Sequence, residues 1–468
     1  MQLLDTIAAV STPHGKGGVA LLRVSGEDAI AVASRVFCPA NGKPLSDAPA
    51  RMALYGKILS PEEDGEWLPV DDGMATVFRA PASFTGEDTV EICCHGGILM
   101  TQTVLSALLA AGARPAGAGE FTRRAFLNGK MGLGAAEALG SLLEAENRAQ
   151  LTLAHSGLQG RLEKKTQEIY VRLRSVMSAV LANIDFPDED LADMGREEMI
   201  VHVDACEQEL RRLAATYRTG HAVAEGIPTA ICGQTNVGKS SLYNCLVGRE
   251  AAIVTEIAGT TRDVLSESVT VGRVTLRLSD TAGLREADDR VEQIGIERAR
   301  RAMEQSELIL AVFDASRPIE SDEQALLEQL AAFSARGTVI VPILNKCDVQ
   351  ACASTASTVE ASLGSCVRMS AATAWGLDAL TARVEQAFVD GSLDMRNDAV
   401  VANARQHASV LQALEAVGHA KEGLESGLPL DLCCVDLECA MSRLSMMDGR
   451  EVDEDIVSEI FSHFCVGK

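Results

Sequence analysis

The chain has 468 residues, 47% of them hydrophobic, and a formal net charge of −24. This length predicts two to four domains, and the acidic balance argues against a broad basic surface that grips nucleic acid by its phosphates. An RNA partner held locally or through a second protein stays open. No stretch approaches the ~20 apolar residues that span a bilayer, and the beginning, MQLLDTIAAVSTP, lacks the basic region of a signal peptide.

The thirteen cysteines are odd in number and scattered, and no C-x-x-C pair occurs. They therefore predict neither a disulfide framework nor a zinc site. Several, such as Cys232 and Cys366, fall in predicted strands, where free thiols pack as small hydrophobes. We expect a reduced, cytoplasmic protein without membrane association. The small basic clusters Arg123-Arg124 and 298–301 are expected to be solvated faces of helices.

The chain begins with an α+β region over residues 1–130, where alternating runs such as GGVALLRVSG and TVEICCHGG precede a helical stretch near Leu99 to Ala111. Residues 131–220 are predicted to be α-helical, since apolar residues recur on one face of each of two long helices. These residues are Leu162, Ile169, Leu173, Val176 and Val180 in the first helix, and Ile200, Val203, Leu210, Leu213 and Tyr217 in the second.

Residues 221–385 alternate strands with helices, which predicts an α/β domain with a mostly parallel sheet and ligands at the strand ends. The predicted strands are PTAIC, RVTLRLSD, LILAVFDAS, TVIVPILNKCD and CVRMSA. Residues 386–468 are again helical, with faces marked by Leu411, Leu414 and Val417, then by Ile456, Ile460 and Phe464. The simplest architecture is multidomain, with a nucleotide domain inserted into a helical domain whose halves meet across it.

A phosphate-binding loop is predicted after the first α/β strand, where the chain reads G-x-x-x-x-G-K-S. Gly233 and Gly238 let the backbone curl so that its N–H groups point at phosphate oxygens. Lys239 is expected to reach the β- and γ-phosphates, and the Ser240 hydroxyl is expected to bind Mg²⁺.

Three later motifs complete a guanine-nucleotide site, each at a strand end. Asp280, in Asp-Thr-Ala-Gly, is expected in the Mg²⁺ shell, with the Gly283 amide sensing the γ-phosphate. Asp348, in Asn-Lys-Cys-Asp, can accept hydrogen bonds from the guanine N1–H and 2-amino group, a donor pair that adenine lacks. Ser370-Ala371 would back the base with a main-chain amide. Together these motifs predict a P-loop GTPase.

The hydrolytic step requires a group that the usual position does not supply. Many GTPases place a glutamine directly after Asp-x-x-Gly, but this chain has Leu284. Glu292 is a candidate to hold the attacking water through a second water. The Asn236 amide oxygen suits a monovalent cation beside the phosphates, and a loop asparagine that only braces the turn is an equal alternative. Residues 255–263 would fold over the phosphates, with Thr261 on Mg²⁺.

The residues expected to contact GTP are Asn236, Val237, Gly238, Lys239, Ser240, Ser241, Thr255, Glu256, Ile257, Ala258, Gly259, Thr260, Thr261, Asp280, Thr281, Ala282, Gly283, Asn345, Lys346, Asp348, Ser370 and Ala371.

The segments GQTNVGKSSLYN, TEIAGTTRDV and DTAGLRE, with GKGGVALLRVSG, SFTGEDTVEICCHGG, GEFTRRAFLNGK and the terminal CVGK, resemble the MnmE (TrmE) family over essentially the whole chain. The resemblance implies an N-terminal folate-binding and dimerisation domain (1–130), a helical domain in two parts (131–220 and 386–468) and an inserted G domain (221–385). It also implies K⁺-stimulated GTP hydrolysis that drives G-domain dimerisation and conformational change.

The resemblance further implies a homodimer that works with an FAD-dependent, MnmG-type partner in a heterotetramer. Together they would add an aminomethyl-type group at C5 of the wobble uridine of certain tRNAs, using 5-formyl-tetrahydrofolate or a related folate. The implied ligands are Asn236, Thr255, the Ile257 carbonyl and Thr260 for K⁺, Ser240 and Thr261 for Mg²⁺, and Arg23, Glu91, Lys130 and Lys468 for folate. Glu292 matches the family's catalytic glutamate.

This chain departs from the family pattern at several positions. It has Gln234-Thr235 in place of Arg-Pro, Ala118 in place of proline, Gly132 in place of aspartate and Val466 in place of isoleucine. Without the resemblance, Arg23 is interpreted as a strand-pairing residue and Lys130 as a helix-terminal charge.

Two other functions stay open. One is a GTPase switch that docks on ribosomal RNA, although no KH-type module follows the G domain. The other is a folate-dependent one-carbon transferase regulated by the G domain.

Overall fold

The computed structural model describes residues 5–13, 15–185, 194–248, 267–279, 300–349, 352–449, 454–462, 464 and 466–467. The chain forms two compact units. The first comprises Met1–Gly140, Leu158–Lys164 and Leu444–Lys468, and the second comprises Ser141–Gly157 and Lys165–Arg443. The division into the segments 1–130, 131–220, 221–385 and 386–468 expected from the sequence stays a prediction.

The first unit is built on a seven-stranded sheet with the strand order β3-β4-β5-β6-β2-β1-β7. Its strands are β1 (Ile7–Val10), β2 (Val19–Ser25), β3 (Phe37–Pro39), β4 (Ala53–Pro61), β5 (Trp67–Phe78), β6 (Thr89–His95) and β7 (Arg114–Pro115). Neighbours are antiparallel except β1 and β7. The strands predicted in GGVALLRVSG and TVEICCHGG are confirmed as β2 and β6. The long β4–β5 hairpin was not predicted.

Two helices, α1 (Ala29–Val36) and α2 (Ile98–Ala110), cover one face of this sheet. The next two helices in the chain are α3 (Glu120–Leu127) and α4 (Leu133–Glu144). The inward residues of the strands, including Leu22, Val24 and Ile92, are fully buried against α1 and α2. Because side chains alternate along a strand, Leu21 and Arg23 point to the opposite face, which we call the outer face.

Three long helices follow, namely α5 (Arg148–Leu158), α6 (Arg161–Asp185) and α7 (Arg196–Ala224). The predicted apolar face of α6 is confirmed, since Leu162, Ile169, Leu173, Val176 and Val180 are all buried. On α7 the residues Val203, Leu210 and Leu213 are buried as predicted. Helical packing here follows directly from the sequence period.

The second unit contains a six-stranded sheet with the order β13-β12-β11-β8-β10-β9. Its elements are β8 (Ile227–Cys232), α8 (Lys239–Gly248), β9 (Glu267–Val271), β10 (Val274–Leu278), β11 (Leu308–Asp314), α9 (Ser321–Ala335), β12 (Val339–Asn345), α10 (Ala353–Leu363), β13 (Val367–Arg368) and α11 (Leu377–Phe388). All pairs are parallel except β9–β10. The prediction of a mostly parallel sheet is confirmed, and its strand ends lie at one edge.

The chain closes with α12 (Ala404–Glu425), α13 (Leu430–Asp448) and α14 (Glu454–Ser462). The helical prediction is confirmed, but the predicted face of α12 is partly wrong. Val410, Ala413 and Val417 are buried, whereas Leu411 is 44% exposed. Val410 and Leu411 are adjacent apolar residues, so the sequence alone does not fix which one faces inward. Among the described residues, none of the helices combines the length and the apolar character needed to cross a membrane.

Candidate functional site

The phosphate-binding loop lies between β8 and α8, as predicted. Gly233 and Gly238 have φ angles of 145° and 102°, which favour glycine. A Cβ atom at Gly233 would collide with the Val312 carbonyl of β11, and one at Gly238 would collide with the Asn345 side-chain amide. The two glycines therefore let the loop approach its neighbours closely. Asn236 lies between them with a φ of 62°, a left-handed conformation that asparagine tolerates.

Lys239 is the first residue of α8 and turns back over the loop. Its Nζ donates hydrogen bonds to the carbonyls of Gly233 (2.9 Å) and Gln234 (2.8 Å). Burial lowers the pKa of this ammonium. Ser240 and Ser241 follow at the exposed start of the helix. An ammonium and a helix N-terminus at one loop form a site for an anion such as phosphate.

Asn345 joins three of the predicted motifs. It ends β12 and is almost fully buried. Its Nδ2 donates to the Val237 carbonyl in the phosphate loop (2.8 Å), and its Oδ1 accepts from the Ala371 amide (2.9 Å). One side chain therefore connects the phosphate loop, the 345–348 segment expected to bind the base (the base loop) and Ser370-Ala371.

Asp348 and Ser370 occupy contrasting positions beside Asn345. Asp348 is exposed in the turn that follows β12. Ser370 is buried, and its Oγ has no hydrogen-bond partner among the described residues. An exposed carboxylate can accept hydrogen bonds from the N–H groups of a base.

Asp314 lies beside the candidate site and belongs to none of the sequence motifs. It ends β11 and is paired in register with Asn345 of β12. Its Oδ2 lies 2.6 Å from Lys346 Nζ, and its Oδ1 accepts from the Ser316 amide (2.9 Å) and hydroxyl (2.6 Å). Burial acts to raise the pKa of Asp314, but the hydrogen bonds from Lys346 and Ser316 hold it below its ordinary value. The signal was an aspartate directly after the apolar run LILAVF, at a strand end.

Several predicted residues lie outside the described part of the chain, and their roles stay predictions. They are Thr255, Glu256, Ile257, Ala258, Gly259, Thr260, Thr261, Asp280, Thr281, Ala282, Gly283, Leu284, Glu292 and Lys468.

In the first unit, the structure brings Arg23 and Glu91 together on neighbouring strands. They are register partners, and Glu91 Oε1 accepts from Arg23 Nη2 (2.8 Å) and Nε (3.0 Å). The guanidinium lies over the rings of Phe84 and Phe121, at 5.2 and 5.6 Å from their centroids. Phe84 belongs to the 79–88 loop, which connects β5 with β6. Lys130 Nζ donates to the Pro81 carbonyl (2.9 Å) of the same loop. The three described folate candidates therefore all border this loop.

Arg124 is a buried ionic centre and not a solvated helix residue, so that expectation was wrong. Its side chain is 1% exposed and forms ion pairs with Asp5 (2.7 Å), Glu87 (3.2 Å) and Glu120 (3.0 Å). Glu87 belongs to the 79–88 loop and Glu120 to α3. Three carboxylates compensate the burial of one guanidinium, and together they fix the loop against α3.

The comparison with protein families decides the identity of the chain. The family described as "GTP-binding protein TrmE N-terminus" matches residues 6–130, and "MnmE helical domain" matches residues 133–465. The protein named tRNA modification GTPase MnmE from Symbiobacterium thermophilum is 41% identical over 99% of this chain and 99% of its own length. The chain belongs to the MnmE family.

A second MnmE relative, from Lacticaseibacillus paracasei, is 38% identical over 99% of this chain and 98% of its own length. Among solved structures, the G domain of the T. maritima FeoB iron transporter is 24% identical to part of this chain. That match covers 34% of this chain and 96% of that one, with a TM-score of 0.24.

Two departures from the MnmE pattern lie against each other. Ala118 and Val466 form an antiparallel bridge, and the Gly467 carbonyl accepts a hydrogen bond from the Ser11 hydroxyl (3.0 Å). The end of the chain is thereby tied to the first unit. The departure at Gly132 precedes α4, whose first turn forms through the hydrogen bond from the Ala136 amide to the Gly132 carbonyl.

Proposed function

We propose that this chain is a P-loop GTP hydrolase that acts in tRNA modification. The observation that carries the proposal is Asn345, which links the phosphate loop to the base loop and to Ala371. In this arrangement the amides of the phosphate loop would bind phosphate, and the exposed carboxylate of Asp348 would accept hydrogen bonds from the guanine edge. The two relatives that match this chain over nearly their full length are named tRNA modification GTPase MnmE, and they support the same activity.

The donor groups at the phosphate loop suit two cations. Ser240 stands at the exposed start of α8, and with Thr261 it would hold Mg²⁺ through hydroxyl oxygens. Asn236 is exposed in the loop, and its amide oxygen would bind K⁺ together with Thr255, Thr260 and the Ile257 carbonyl. Bound there, these cations would neutralise charge that develops on the phosphates. Glu292 would orient the water, because Leu284 cannot.

Turnover of GTP by the purified chain in KCl against NaCl, at constant Mg²⁺, tests this proposal. We expect clear potassium stimulation, and we expect Asn236→Ala to remove most of it because the amide oxygen is lost. Gln234→Ala, in the same loop, serves as the matched control and should keep the stimulation. Equal rates in both salts would leave a GTPase but discard the cation role. If the chain hydrolysed GTP in neither salt, the proposed activity itself would be contradicted.

The first unit is proposed to bind a one-carbon folate at Arg23, Glu91, Lys130 and Lys468. The Glu91 carboxylate, held by Arg23, can accept hydrogen bonds from the amide and amine of a pterin ring. The partly exposed ring of Phe84 beside Arg23 adds an apolar surface for a flat ligand. With an MnmG-type FAD protein, the chain would modify C5 of the wobble uridine of certain tRNAs.

Reconstitution tests this second part. The chain, the FAD protein, tRNA, GTP and 5-formyl-tetrahydrofolate are combined, and the wobble nucleoside is analysed by mass spectrometry. We expect an aminomethyl-type product, and its loss with Glu91→Gln, whereas Glu62→Gln on the exposed end of the β4–β5 hairpin should be active. An unmodified uridine in the complete mixture would argue against the proposal.

A homodimer is proposed through the outer face of the first unit's sheet. Tyr55, Met74, Cys93 and Leu21 form a row across four strands by direct register pairing. Tyr55 is 60% exposed and Met74 48% exposed. The next row along the strands contains Arg23 and Glu91, so the exposed row adjoins the proposed folate residues. A second copy would cover large apolar side chains that solvent now contacts.

A further inference from the structure

The turn that follows β12 carries two opposite charges close together. Lys346 and Asp348 are two residues apart, and the Val349 amide donates to the Lys346 carbonyl (3.0 Å) to close the turn. A lysine side chain is long and flexible enough to reach a carboxylate at this spacing. Such a pair would occupy the acceptor that the proposed function assigns to guanine.

Asp314 holds the Lys346 ammonium in another position. The 2.6 Å contact between Asp314 Oδ2 and Lys346 Nζ is formed at a carboxylate that is only 7% exposed. Ser316 fixes the other carboxylate oxygen with two hydrogen bonds. A pair at a shielded, preorganised carboxylate is stronger than one at an exposed carboxylate, where water screens the charges. In the part of the chain that the structure describes, Asp348 takes part in no ion pair.

The parallel sheet explains why Asp314 is in this place. β11 and β12 pair in register up to Asp314 and Asn345, and the Ala315 amide donates to the Asn345 carbonyl (2.9 Å). The two strands therefore end side by side. Asp314 is carried to the base loop by a strand that contributes none of the predicted GTP-binding residues.

We propose that Asp314 determines nucleotide specificity as a positioning residue. It keeps the Lys346 ammonium away from Asp348 and so leaves the Asp348 carboxylate available to the guanine N1–H and 2-amino group. Asp314 acts through Lys346 and does not touch the nucleotide. This inference rests on the proposed GTP site.

The test compares the affinities of GDP and inosine diphosphate, which lacks the 2-amino group. Asp314→Asn keeps the shape of the side chain but removes its charge, so Lys346 is released toward Asp348. We expect GDP affinity to fall about tenfold, because a charge-assisted contact is lost. Inosine diphosphate has one donor fewer to lose, so the preference for GDP should shrink.

The double variant Asp314→Asn/Lys346→Met separates this mechanism from simple damage to the strand end. It removes the competing ammonium. Because Lys346 is itself among the residues expected to contact GTP, the double variant is compared with Lys346→Met alone, and we expect the two to show the same preference for GDP over inosine diphosphate. Glu328→Gln, on the exposed face of α9, is the control and should leave both affinities unchanged. Thermal unfolding of each variant shows that it is folded. If Asp314→Asn does not fold, Ser316→Ala loosens the same carboxylate and should reduce the preference by a smaller factor.

The outcomes are distinct. A parent chain that does not prefer GDP over ADP would contradict the proposed function. If the parent prefers GDP over ADP but Asp314→Asn keeps the full preference for GDP over inosine diphosphate, the inference alone is overturned. If Asp314→Asn is unfolded, the same result with Ser316→Ala overturns it. A double variant that prefers GDP less strongly than Lys346→Met alone would also overturn it, since Lys346 would then have no part in the effect of Asp314→Asn.

Discussion

At the scale of residues, Asn345 and Asp348 perform different tasks in one short motif. Asn345 is buried, and both ends of its amide are bonded to neighbouring loops. Asp348 is exposed, so its carboxylate is left for a ligand. A buried amide with two fixed partners orders the loop, while an exposed acceptor reads the base.

The substitution Asp348→Asn should change the base that is accepted. The new side-chain amide presents an N–H group where the carboxylate accepted, so it fits the 2-carbonyl of xanthine and not the 2-amino group of guanine. We expect kcat/KM for GTP to fall about hundredfold or more, with a gain for xanthosine triphosphate. Steady-state hydrolysis of both nucleotides measures this change. Asp322→Asn on α9 is the control, and an unchanged preference for GTP would show that Asp348 does not contact the base.

The sequence reveals residues of the site when their role lies in a local pattern. Gly233, Gly238 and Lys239 follow one another at fixed spacing, and in the structure Lys239 donates to the Gly233 carbonyl while Asn345 donates to Val237, next to Gly238. Asp314 and Arg124 depend instead on partners that are distant in the chain. Arg124 contacts Asp5, which is 119 residues away. No periodicity or spacing encodes such a contact, so only the folded chain shows it.

At the scale of elements, the end of α7 is tied to the start of β11. His221 Nε2 lies 3.3 Å from Glu307 Oε1, and the Glu307 amide donates to the Pro228 carbonyl of β8. The His221 ring also stacks on Tyr217, which stacks on His407 of α12. α7 leads directly into β8 and the phosphate loop, so this contact joins a helical element to the strand that carries the loop.

The His221–Glu307 contact should make stability depend on pH. The hydrogen bond to Glu307 raises the pKa of His221, and the same bond lowers the pKa of Glu307. The histidine contribution is therefore complete below its unfolded pKa of about 6.5 and is lost as pH rises through the higher folded value. The glutamate contribution is present above its unfolded pKa and is lost as pH falls. We expect the pair to stabilise most between these two limits.

His221→Gln should accordingly flatten the dependence of Tm on pH from about pH 6 to 8. Thermal unfolding followed by circular dichroism measures this slope. Glu307→Gln removes the negative charge that stabilises the protonated His221 and should flatten the slope similarly. His202→Gln, on the same helix, is the control. Equal slopes for the parent and both variants would mean that the contact does not contribute in this range.

Elements with a long, single period were predicted best. α6 and the parallel strands of the second unit lie where the sequence placed them, because each buries one clear stripe or run. The β4–β5 hairpin was missed, since Tyr55 and Met74 leave one of its faces apolar and exposed, which blurs the alternation. α12 has adjacent apolar residues, so its inward face was decided by packing on α7.

At the scale of the whole molecule, the sheet of the first unit is covered unevenly. Its inner face is buried by α1 and α2, while Phe84 and Phe121 cover only the part of the outer face around Arg23. In the adjoining row, Tyr55 and Met74 are exposed. A stable dimer needs such an apolar patch beside polar residues, and this patch adjoins the proposed folate residues. Dimerisation and folate binding are therefore expected to be linked.

Tyr55→Asp and Met74→Asp should weaken the proposed homodimer. Each places a carboxylate in the apolar row, where a partner would have to bury it unpaired, so we expect the dissociation constant to rise at least about tenfold. Light scattering after gel filtration should give about twice 49.6 kDa for the parent chain and a concentration-dependent lower mass for the variants. Val201→Asp, at an exposed apolar position on α7, is the control. If the variants keep the dimer mass at every concentration, the outer face is not the interface. If the parent chain is itself a monomer, the homodimer is no longer part of the proposed function.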